Sequence, residues 1–275
     1  MCILCKIIAY VGMVWYYNIV LVMMFGVVKM GYQIEAANLS HAWFEATRYI
    51  LSQHNAECNN LLVEIANPLA RNGQIEEEYE HFCEVLEIKH YSIPAQTVFP
   101  KKAYEILNHD RLRLYEKYPR LHKVLKGKWG SYFGQMINWK INNVEGFSVN
   151  QIEQLIQMLN NRTRVYSAAY TIQITNPQDH SSYTIGGPCL HYILLQLQKN
   201  GDVKTMDMLA VYRNHDFAVK SYGNYVGLGH LLEFLCRETG FSIGKLSCVS
   251  SHAYIESKYV SRLKAITRRD HAEPA

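Results

Sequence analysis

Four apolar segments in the second half of the chain restrict the fold more than any other feature. The first two flank the polar turn sequence Lys199-Asn200-Gly201-Asp202, and this arrangement predicts a β-hairpin. The third is long enough for a helix that ends near Gly240, and the fourth is predicted to be another strand. The segments are residues 192–198, 206–212, 224–238 and 242–249. Strands mixed with helices in this order predict an α+β or mixed α/β fold.

The first half of the chain also mixes helices with strands. Asn38 or Ser40 can cap the first predicted helix, and Ser148 can cap the last. Two prolines within residues 92–100 predict a loop. The predicted helices are residues 38–53, 75–91, 101–126 and 149–160, and the predicted strands are residues 61–66 and 165–174.

Composition limits the class of protein. A chain of 275 residues, of which 49% are hydrophobic, can bury one large core. The formal net charge of +4 is too small to indicate nucleic-acid binding. The sequence has neither a glycine-rich phosphate loop nor a dinucleotide-binding fingerprint, so kinase and Rossmann-type functions are not predicted.

The seven cysteines indicate a reducing environment. Their number is odd and their spacing does not suggest a disulfide framework, so we expect reduced thiols and a cytoplasmic protein. Cys2 and Cys5 have a spacing that suits metal or redox chemistry, but no second Cys or His pair follows nearby. We therefore predict no metal site.

The N-terminal leader, residues 1–30, allows more than one interpretation. Residues 7–28 carry no charge and are flanked by lysines, which is typical of a membrane-spanning helix. Tyrosines, a tryptophan and an asparagine within the segment weaken that interpretation. The alternative is a translated upstream region with the true start at Met30. We expect residues 31–275 to form the functional domain, with membrane contact only if the leader is an anchor.

Candidate functional residues cluster between Gly187 and Tyr254. They supply a thiol, a cation, a carboxylate, amides, an imidazole and a phenol. Such a set could attack a carbon atom, hold an anion and read a polar heterocycle. Some members also have simpler explanations, because Asp216 could cap a turn and Asn224 could cap the following helix. The candidates are Cys189, Arg213, Asn214, Asp216, Asn224, His252 and Tyr254.

These residues resemble the motifs of the thymidylate synthase and dCMP hydroxymethylase family, most clearly over residues 160–260. Gly187-Pro188-Cys189-Leu190-His191 is similar to the family's catalytic-cysteine segment, and Arg213-Asn214-His215-Asp216 is similar to its Arg-Ser-x-Asp segment. His252-Ala253-Tyr254 resembles its His-x-Tyr, and Asn224 has the spacing of its base-reading amide. The resemblance implies a single domain with a mixed β-sheet flanked by helices.

The resemblance also implies a covalent mechanism. Cys189 would add to carbon 6 of a pyrimidine ring and so activate carbon 5 for one-carbon transfer from 5,10-methylenetetrahydrofolate. Arg213 would bind the 5′-phosphate near the thiol, and Asp216 would orient the base or the pterin. An amide at Asn224 leans toward uracil, whereas a carboxylate would suit cytosine better. The residues implied in nucleotide binding are Arg162, Arg164, Asn214, Asn224, His252 and Tyr254.

Two arginines and an aromatic segment extend the resemblance upstream. Arg162 and Arg164 lie where the family places arginines that cross a dimer interface to the phosphate of the other subunit, which implies a homodimer. Alternatively, both could serve only as cations at the end of the preceding helix. Tyr132-Phe133-Gly134 is similar to a Tyr-Gly segment of the family.

The chain also departs from the family pattern. Asn214 replaces the serine after the arginine, and Lys220-Ser221-Tyr222-Gly223-Asn224 replaces a Gly-x-Pro-Phe-Asn loop. Only 21 residues follow Tyr254, whereas family members continue to a tail that closes over folate. Two functions are therefore compatible with the sequence: methyl or hydroxymethyl transfer to a pyrimidine nucleotide, or nucleotide or partner binding by a catalytically degenerate homologue.

Overall fold

A computed structural model of the protein describes residues 31–121, 130–140, 148–161, 166–167, 170–176, 187–200 and 203–269. The leader and both arginines expected at a dimer interface, Arg162 and Arg164, lie outside the described residues. Within the described ranges, no helix has the length and apolar character needed to cross a membrane.

The described strands are β1 (Tyr32–Asn38), β2 (Glu57–Asn67), β3 (Trp139–Lys140), β4 (Ser148–Val149), β5 (Tyr170–Gln173), β6 (Leu190–Asn200), β7 (Val203–Tyr212), β8 (His215–Asp216) and β9 (Ser242–Tyr254). They form a mixed sheet in the order β1-β2-β9-β7-β6-β5, and β8 pairs with β9 beside that path. β9 is antiparallel to β2 but parallel to β7 and β8. A separate two-stranded sheet joins β3 and β4.

The helices flank this sheet, and the longest of them, α8 (Ser221–Thr239), connects β8 to β9. Most residues of α8 are buried, and the helix ends at Gly240, which has the left-handed conformation predicted for a C-terminal cap. The helices are α1 (Leu39–Ser52), α2 (Gly73–Val85), α3 (Ser92–Val98), α4 (Lys101–Ile106), α5 (Arg111–Leu121), α6 (Tyr132–Ile137), α7 (Gln151–Asn161), α8 (Ser221–Thr239) and α9 (Ser257–Thr267). The predicted mixed fold, with helices flanking a mixed sheet, is confirmed.

The start of α1 agrees with its predicted cap, and a residue of α1 contacts the turn that follows β8. The Asn38 side chain accepts a hydrogen bond from the backbone N–H of His41 at 3.1 Å. Trp43 is fully buried, and its indole N–H donates to the carbonyl of Phe217 at 3.0 Å. Because Phe217 directly follows β8, α1 holds the turn between β8 and α8 in place.

The predicted loop at residues 92–100 is wrong, because α3 occupies most of it. Pro94 lies in the first turn of α3, where a backbone N–H needs no partner within the helix. α3 packs closely on α8 at Gly223 and Gly227, where even a Cβ atom would meet α3 and its N-terminal flank. A seven-residue helix that depends on such a contact has little periodicity of its own.

Two predicted helix boundaries also need correction. α2 ends at Val85 rather than near residue 91. Ser148 lies in β4, and the side chain of Asn150 instead accepts from the backbone N–H of Glu153 at 3.0 Å at the start of α7. The first case shows that a run of suitable residues does not fix where a helix ends, and the second that it does not choose between neighbouring cap residues.

One face of the sheet carries apolar side chains that the described helices leave half-buried. β-sheet pairing aligns Leu62 with Val249, Val249 with Val211, and Val211 with Tyr192 in one row across four strands. Leu209 and Leu194 pair in the next row. Tyr192 is 36% exposed, and the other residues of both rows are half-buried.

The contact between α3 and α8 gives a stability prediction. We expect Gly227→Ala to destabilise the protein by about 1–3 kcal/mol, because the added Cβ would lie 2.6 Å from the carbonyl oxygen of Ala95 and 2.7 Å from Cβ of Val98. Gly73→Ala is the matched control, since nothing lies within 4 Å of a Cβ there. Urea unfolding of both variants checks the expectation, and equal stabilities would contradict the close packing of α3 on α8.

Candidate active site

The thiol of Cys189 lies at the start of β6, where the hairpin places it beside Arg213. Leu190 pairs with Tyr212, the last residue of β7. The backbone N–H of Arg213 donates to the carbonyl of Cys189 at 2.9 Å. The guanidinium Nε–H of Arg213 also donates to the carbonyl of Pro188 at 3.2 Å. The two predicted catalytic residues are therefore joined, although 24 positions separate them in the sequence.

Two cations act on the Cys189 thiol. Burial raises the pKa of this thiol, while the positive charges of Lys220 and Arg213 oppose the rise. The nearby carboxylate of Asp216 adds to the rise. Lys220 and Arg213 are exposed, whereas Cys189 is only half-buried. The site thus favours a thiolate more than an equally buried cysteine without cations would.

Tyr132 supports the cysteine segment from α6. Its hydroxyl oxygen accepts from the backbone N–H of Cys189 at 3.3 Å and from that of Leu190 at 3.5 Å. The phenol is buried, and burial raises its pKa well above the ordinary range, so the hydroxyl stays neutral. Sequence similarity identified the segment around Tyr132, but the contact with Cys189 emerges only from the fold.

β8 brings Asp216 to the end of β9. Parallel pairing aligns Asp216 with Tyr254. The charge of Asp216 raises the pKa of the Cys189 thiol, and Cys189 in turn raises the pKa of Tyr254. Asp216 is 6% exposed, and its Oδ1 accepts from the backbone N–H groups of Ala218 and Val219 at 3.0 and 3.1 Å. The turn-capping role considered for Asp216 is therefore real. Burial raises the pKa of Asp216 despite these hydrogen bonds.

Tyr254 and His252 form the wall of the site next to β2. Their rings stack with centroids 5.6 Å apart and an interplanar angle of 12°. Nδ1 of His252 lies 2.8 Å from Oδ1 of Asn214, and its Nε2 lies 3.2 Å from a carboxylate oxygen of Glu57. Burial raises the pKa of Tyr254 to about 12, with Asp216 and Cys189 contributing. Glu57 is a residue that sequence reasoning missed, because only strand pairing brings it here.

Asn224 lies in the first turn of α8 and is 4% exposed. The interpretation of Asn224 as a helix cap is wrong, because the helix begins at Ser221 and the Asn224 amide contacts His215 instead. Its Nδ2 lies 3.1 Å from Nε2 of His215, which belongs to β8. The predicted base-reading amide therefore shares one end of the sheet with Cys189, Arg213 and Asp216.

The structure leaves part of the predicted set unplaced and adds new members. Arg162 and Arg164 lie outside the described residues, so the structure does not place them. Lys220, Tyr132 and Glu57 are additions. The signal for Lys220 was present in the sequence, since this residue begins the segment that differs from the family loop. The described residues contain no cluster of three or more His, Cys, Asp or Glu side chains that could hold a metal ion.

The fold and the site together define a class: a mixed α/β protein with a half-buried cysteine near two cations and a carboxylate at one end of its sheet. A family model described as thymidylate synthase matches residues 99–275, and the chain therefore belongs to the thymidylate synthase family. The chain is also 26% identical, over 230 residues, to a protein of Methanococcoides burtonii that is itself named only as a candidate thymidylate synthase. That alignment covers 82% of this chain and 90% of the relative.

Family membership assigns a general activity. It supports a transferase that moves a one-carbon unit to a pyrimidine nucleotide, within dTMP biosynthesis.

The cations around Cys189 give a prediction about its reactivity. We expect Lys220→Met to slow the alkylation of Cys189 by iodoacetamide several-fold at about pH 7.5, because loss of the positive charge raises the pKa of the thiol and leaves less thiolate. Lys220→Arg keeps the charge and should keep the rate. Mass spectrometry of the Cys189 peptide over a range of pH values measures both. Identical pH profiles for Lys220→Met and the unaltered protein would contradict this role of Lys220.

Proposed function

We propose that the protein transfers a one-carbon unit to carbon 5 of a pyrimidine deoxynucleotide through a covalent bond between Cys189 and carbon 6. The position of Cys189 carries this proposal, because the thiol is only half-buried and lies at the same end of the sheet as Arg213, Lys220 and Asp216. A methyl and a hydroxymethyl group are both compatible products.

The thiolate is needed because carbon 5 of a pyrimidine is a poor nucleophile. Addition of the sulfur to carbon 6 moves the double-bond electrons toward the carbonyl at carbon 4 and gives an enolate that is nucleophilic at carbon 5. Once the new bond has formed, carbon 5 would lose its proton, and the bond between the one-carbon unit and the nitrogen of its carrier would break. The exocyclic methylene left on carbon 5 would take a hydride, for which reduced folate could be the donor, to give a methyl group, or water to give a hydroxymethyl group. The carbon–sulfur bond would break in the same step, which regenerates the thiolate. Lys220 and Arg213 favour the anionic form of the sulfur, which exists before the addition and again after the carbon–sulfur bond breaks.

Asp216 fits the folate expected from the family. 5,10-Methylenetetrahydrofolate would supply the one-carbon unit. Oδ1 of Asp216 accepts two backbone N–H groups, and its Oδ2 has no hydrogen-bond partner among the described residues. This second oxygen could accept from the N–H groups of a pterin.

The remaining polar groups suit the nucleotide. Arg213 can bind the 5′-phosphate, since its guanidinium is exposed and makes one hydrogen bond to the backbone of Pro188. His252 and Tyr254 can hold the sugar hydroxyl, with Asn214 and Glu57 fixing the imidazole of His252.

We further propose that the protein acts as a homodimer that associates through the open face of the sheet. The two rows of half-buried apolar residues across β2, β9, β7 and β6 support this. A second copy that covers this face removes apolar surface from water, and this lowers the free energy of the dimer. Arg162 and Arg164 would then reach the phosphate bound by the partner.

Residues 31–275 would form the active domain. The protein would work in the cytoplasm, which is a reducing compartment. All five cysteines in the described part of the chain are unpaired thiols, which supports a reducing environment. Membrane contact would depend on whether the leader is an anchor.

Removal of the proposed nucleophile gives the first test of this function. We expect Cys189→Ala to reduce the release of tritium from dUMP labelled at carbon 5 to the background rate, because carbon 5 cannot be activated without the adduct. Cys58→Ala is the matched control, since Cys58 is also a half-buried thiol but belongs to β2. Retained release in Cys189→Ala would rule out the covalent mechanism.

The same assay separates the enzyme from a degenerate homologue. The unaltered protein should release tritium from labelled dUMP or dCMP when folate is present. Nucleotide binding without release from either labelled nucleotide, with or without folate, would favour the binding protein.

Asn224 gives a prediction about the base. The amide can accept from N3–H and donate to O4 of uracil, whereas a carboxylate next to cytosine can accept from its amino group. We therefore expect Asn224→Asp to lower the affinity for dUMP roughly tenfold or more and to raise the affinity for dCMP relative to dUMP. Isothermal titration with both nucleotides measures the ratio. A ratio that does not change would show that Asn224 does not contact the base.

A further inference from the structure

A row of buried polar side chains lies behind Asn224. Nε2 of His215 lies 3.1 Å from Nδ2 of Asn224, and Nδ1 of His215 lies 2.9 Å from the hydroxyl oxygen of Ser250. Asn224, His215 and Ser250 are 4%, 1% and 0% exposed. Both ring nitrogens of His215 are thus engaged inside the protein, and none of the functions assigned above uses this residue.

Aromatic side chains hold the His215 ring in a fixed plane. The ring stacks on Tyr212 with centroids 4.1 Å apart and an interplanar angle of 4°. The ring centroids of Phe217 and Tyr225 lie 5.0 and 5.9 Å from that of His215. Burial, together with the positive charge of Lys220, lowers the pKa of His215 to about 3, so the imidazole is neutral at physiological pH.

A neutral imidazole has one donor and one acceptor, so its two hydrogen bonds depend on each other. The amide nitrogen of Asn224 can only donate, so Nε2 of His215, which lies 3.1 Å from it, must be the acceptor. The single proton of the neutral ring is then on Nδ1, and the Nδ1–H donates to the hydroxyl oxygen of Ser250. The acceptor then takes one N–H of Asn224, as the contact with Nδ2 indicates.

This hydrogen bond removes an ambiguity from the base-reading amide. An amide that can rotate by 180° presents its oxygen and its N–H groups in either order, and it could then read uracil in one orientation and cytosine in the other. An amide with one N–H fixed to His215 presents only its oxygen and its second N–H in one order. Only one of the two base edges complements that order.

We propose that His215 is a positioning residue that fixes the amide of Asn224 in one orientation and thereby sets the preference between uracil and cytosine. The proposal rests on the proposed function, because it assumes that Asn224 contacts the base. His215 itself would touch neither the nucleotide nor the reacting atoms.

Two substitutions test the proposal by different routes. His215→Phe keeps a flat ring on Tyr212 but removes both nitrogens, and we expect it to narrow the ratio of dUMP to dCMP affinities by roughly fivefold to thirtyfold. Ser250→Ala leaves the His215 ring in place but frees its Nδ1, and we expect a narrowing of roughly twofold to fivefold. Isothermal titration of the full chain with each nucleotide supplies both ratios.

The matched control is Tyr225→Phe. The Tyr225 hydroxyl is buried and has no hydrogen-bond partner among the described residues, and its ring lies next to His215. Its removal should leave the affinity ratio unchanged. If His215→Phe fails to fold, Ser250→Ala and the control decide the question.

The outcomes separate the proposal from a purely structural role and from failure of the proposed function. Equal weakening of both nucleotides in His215→Phe and Ser250→Ala, with the ratio kept, would make His215 a packing residue and overturn the proposal. An unaltered protein that binds both nucleotides equally would also overturn it, while the covalent mechanism could stand. An unaltered protein that binds neither nucleotide would overturn the proposed function itself.

A second measurement needs no nucleotide. Selective ¹⁵N labelling of histidine, with the His215 signal assigned from the His215→Phe spectrum, reports which ring nitrogen carries the proton. We expect a proton on Nδ1 and a bare Nε2. A proton on Nε2 would place the amide oxygen of Asn224, rather than its nitrogen, against the ring and would overturn the proposed orientation.

Discussion

The parallel pairing of β8 with β9 is the interaction on which the site depends. It aligns Asp216 with Tyr254, and the backbone N–H of Phe217 then donates to the carbonyl of Tyr254 at 3.0 Å. This two-residue strand fixes the turn from which α8 starts, and so it fixes Asn224 as well. Arg213 lies just before it, hydrogen-bonded to the backbone of the Cys189 segment. Without this pairing, nothing would hold the Cys189 thiol, the Asp216 carboxylate and the Asn224 amide close to one another.

Four buried polar side chains lie at the end of the sheet that carries the candidate site. His215, Ser250, Asp216 and Asn224 are all buried, and each has hydrogen-bond partners. Leaving one of them unpaired would cost about 1–3 kcal/mol, so their partners must be in place before the site can work. The close contacts that α8 makes with α3, together with the contact of Trp43 with Phe217, supply that fixed frame.

The sequence was most informative where periodicity or motif spacing is strong. Apolar runs predicted the β6–β7 hairpin and α8, the family resemblance implied the mixed sheet, and the motifs grouped Cys189, Arg213, Asp216 and Asn224 as one set. The sequence could not predict α3, because a helix of seven residues around Pro94 depends on glycines of α8 that lie far along the chain. It also could not predict that Glu57 faces His252 or that Tyr132 supports Cys189, since long-range pairing creates both contacts.

A crystal structure of the protein with bound dUMP tests the central claim most directly. The account predicts that the uracil ring lies against Cys189 with carbon 6 in contact with, or bonded to, the sulfur, and that the phosphate lies at Arg213. A nucleotide bound elsewhere, or a ring whose carbon 6 faces away from the Cys189 sulfur, would contradict it.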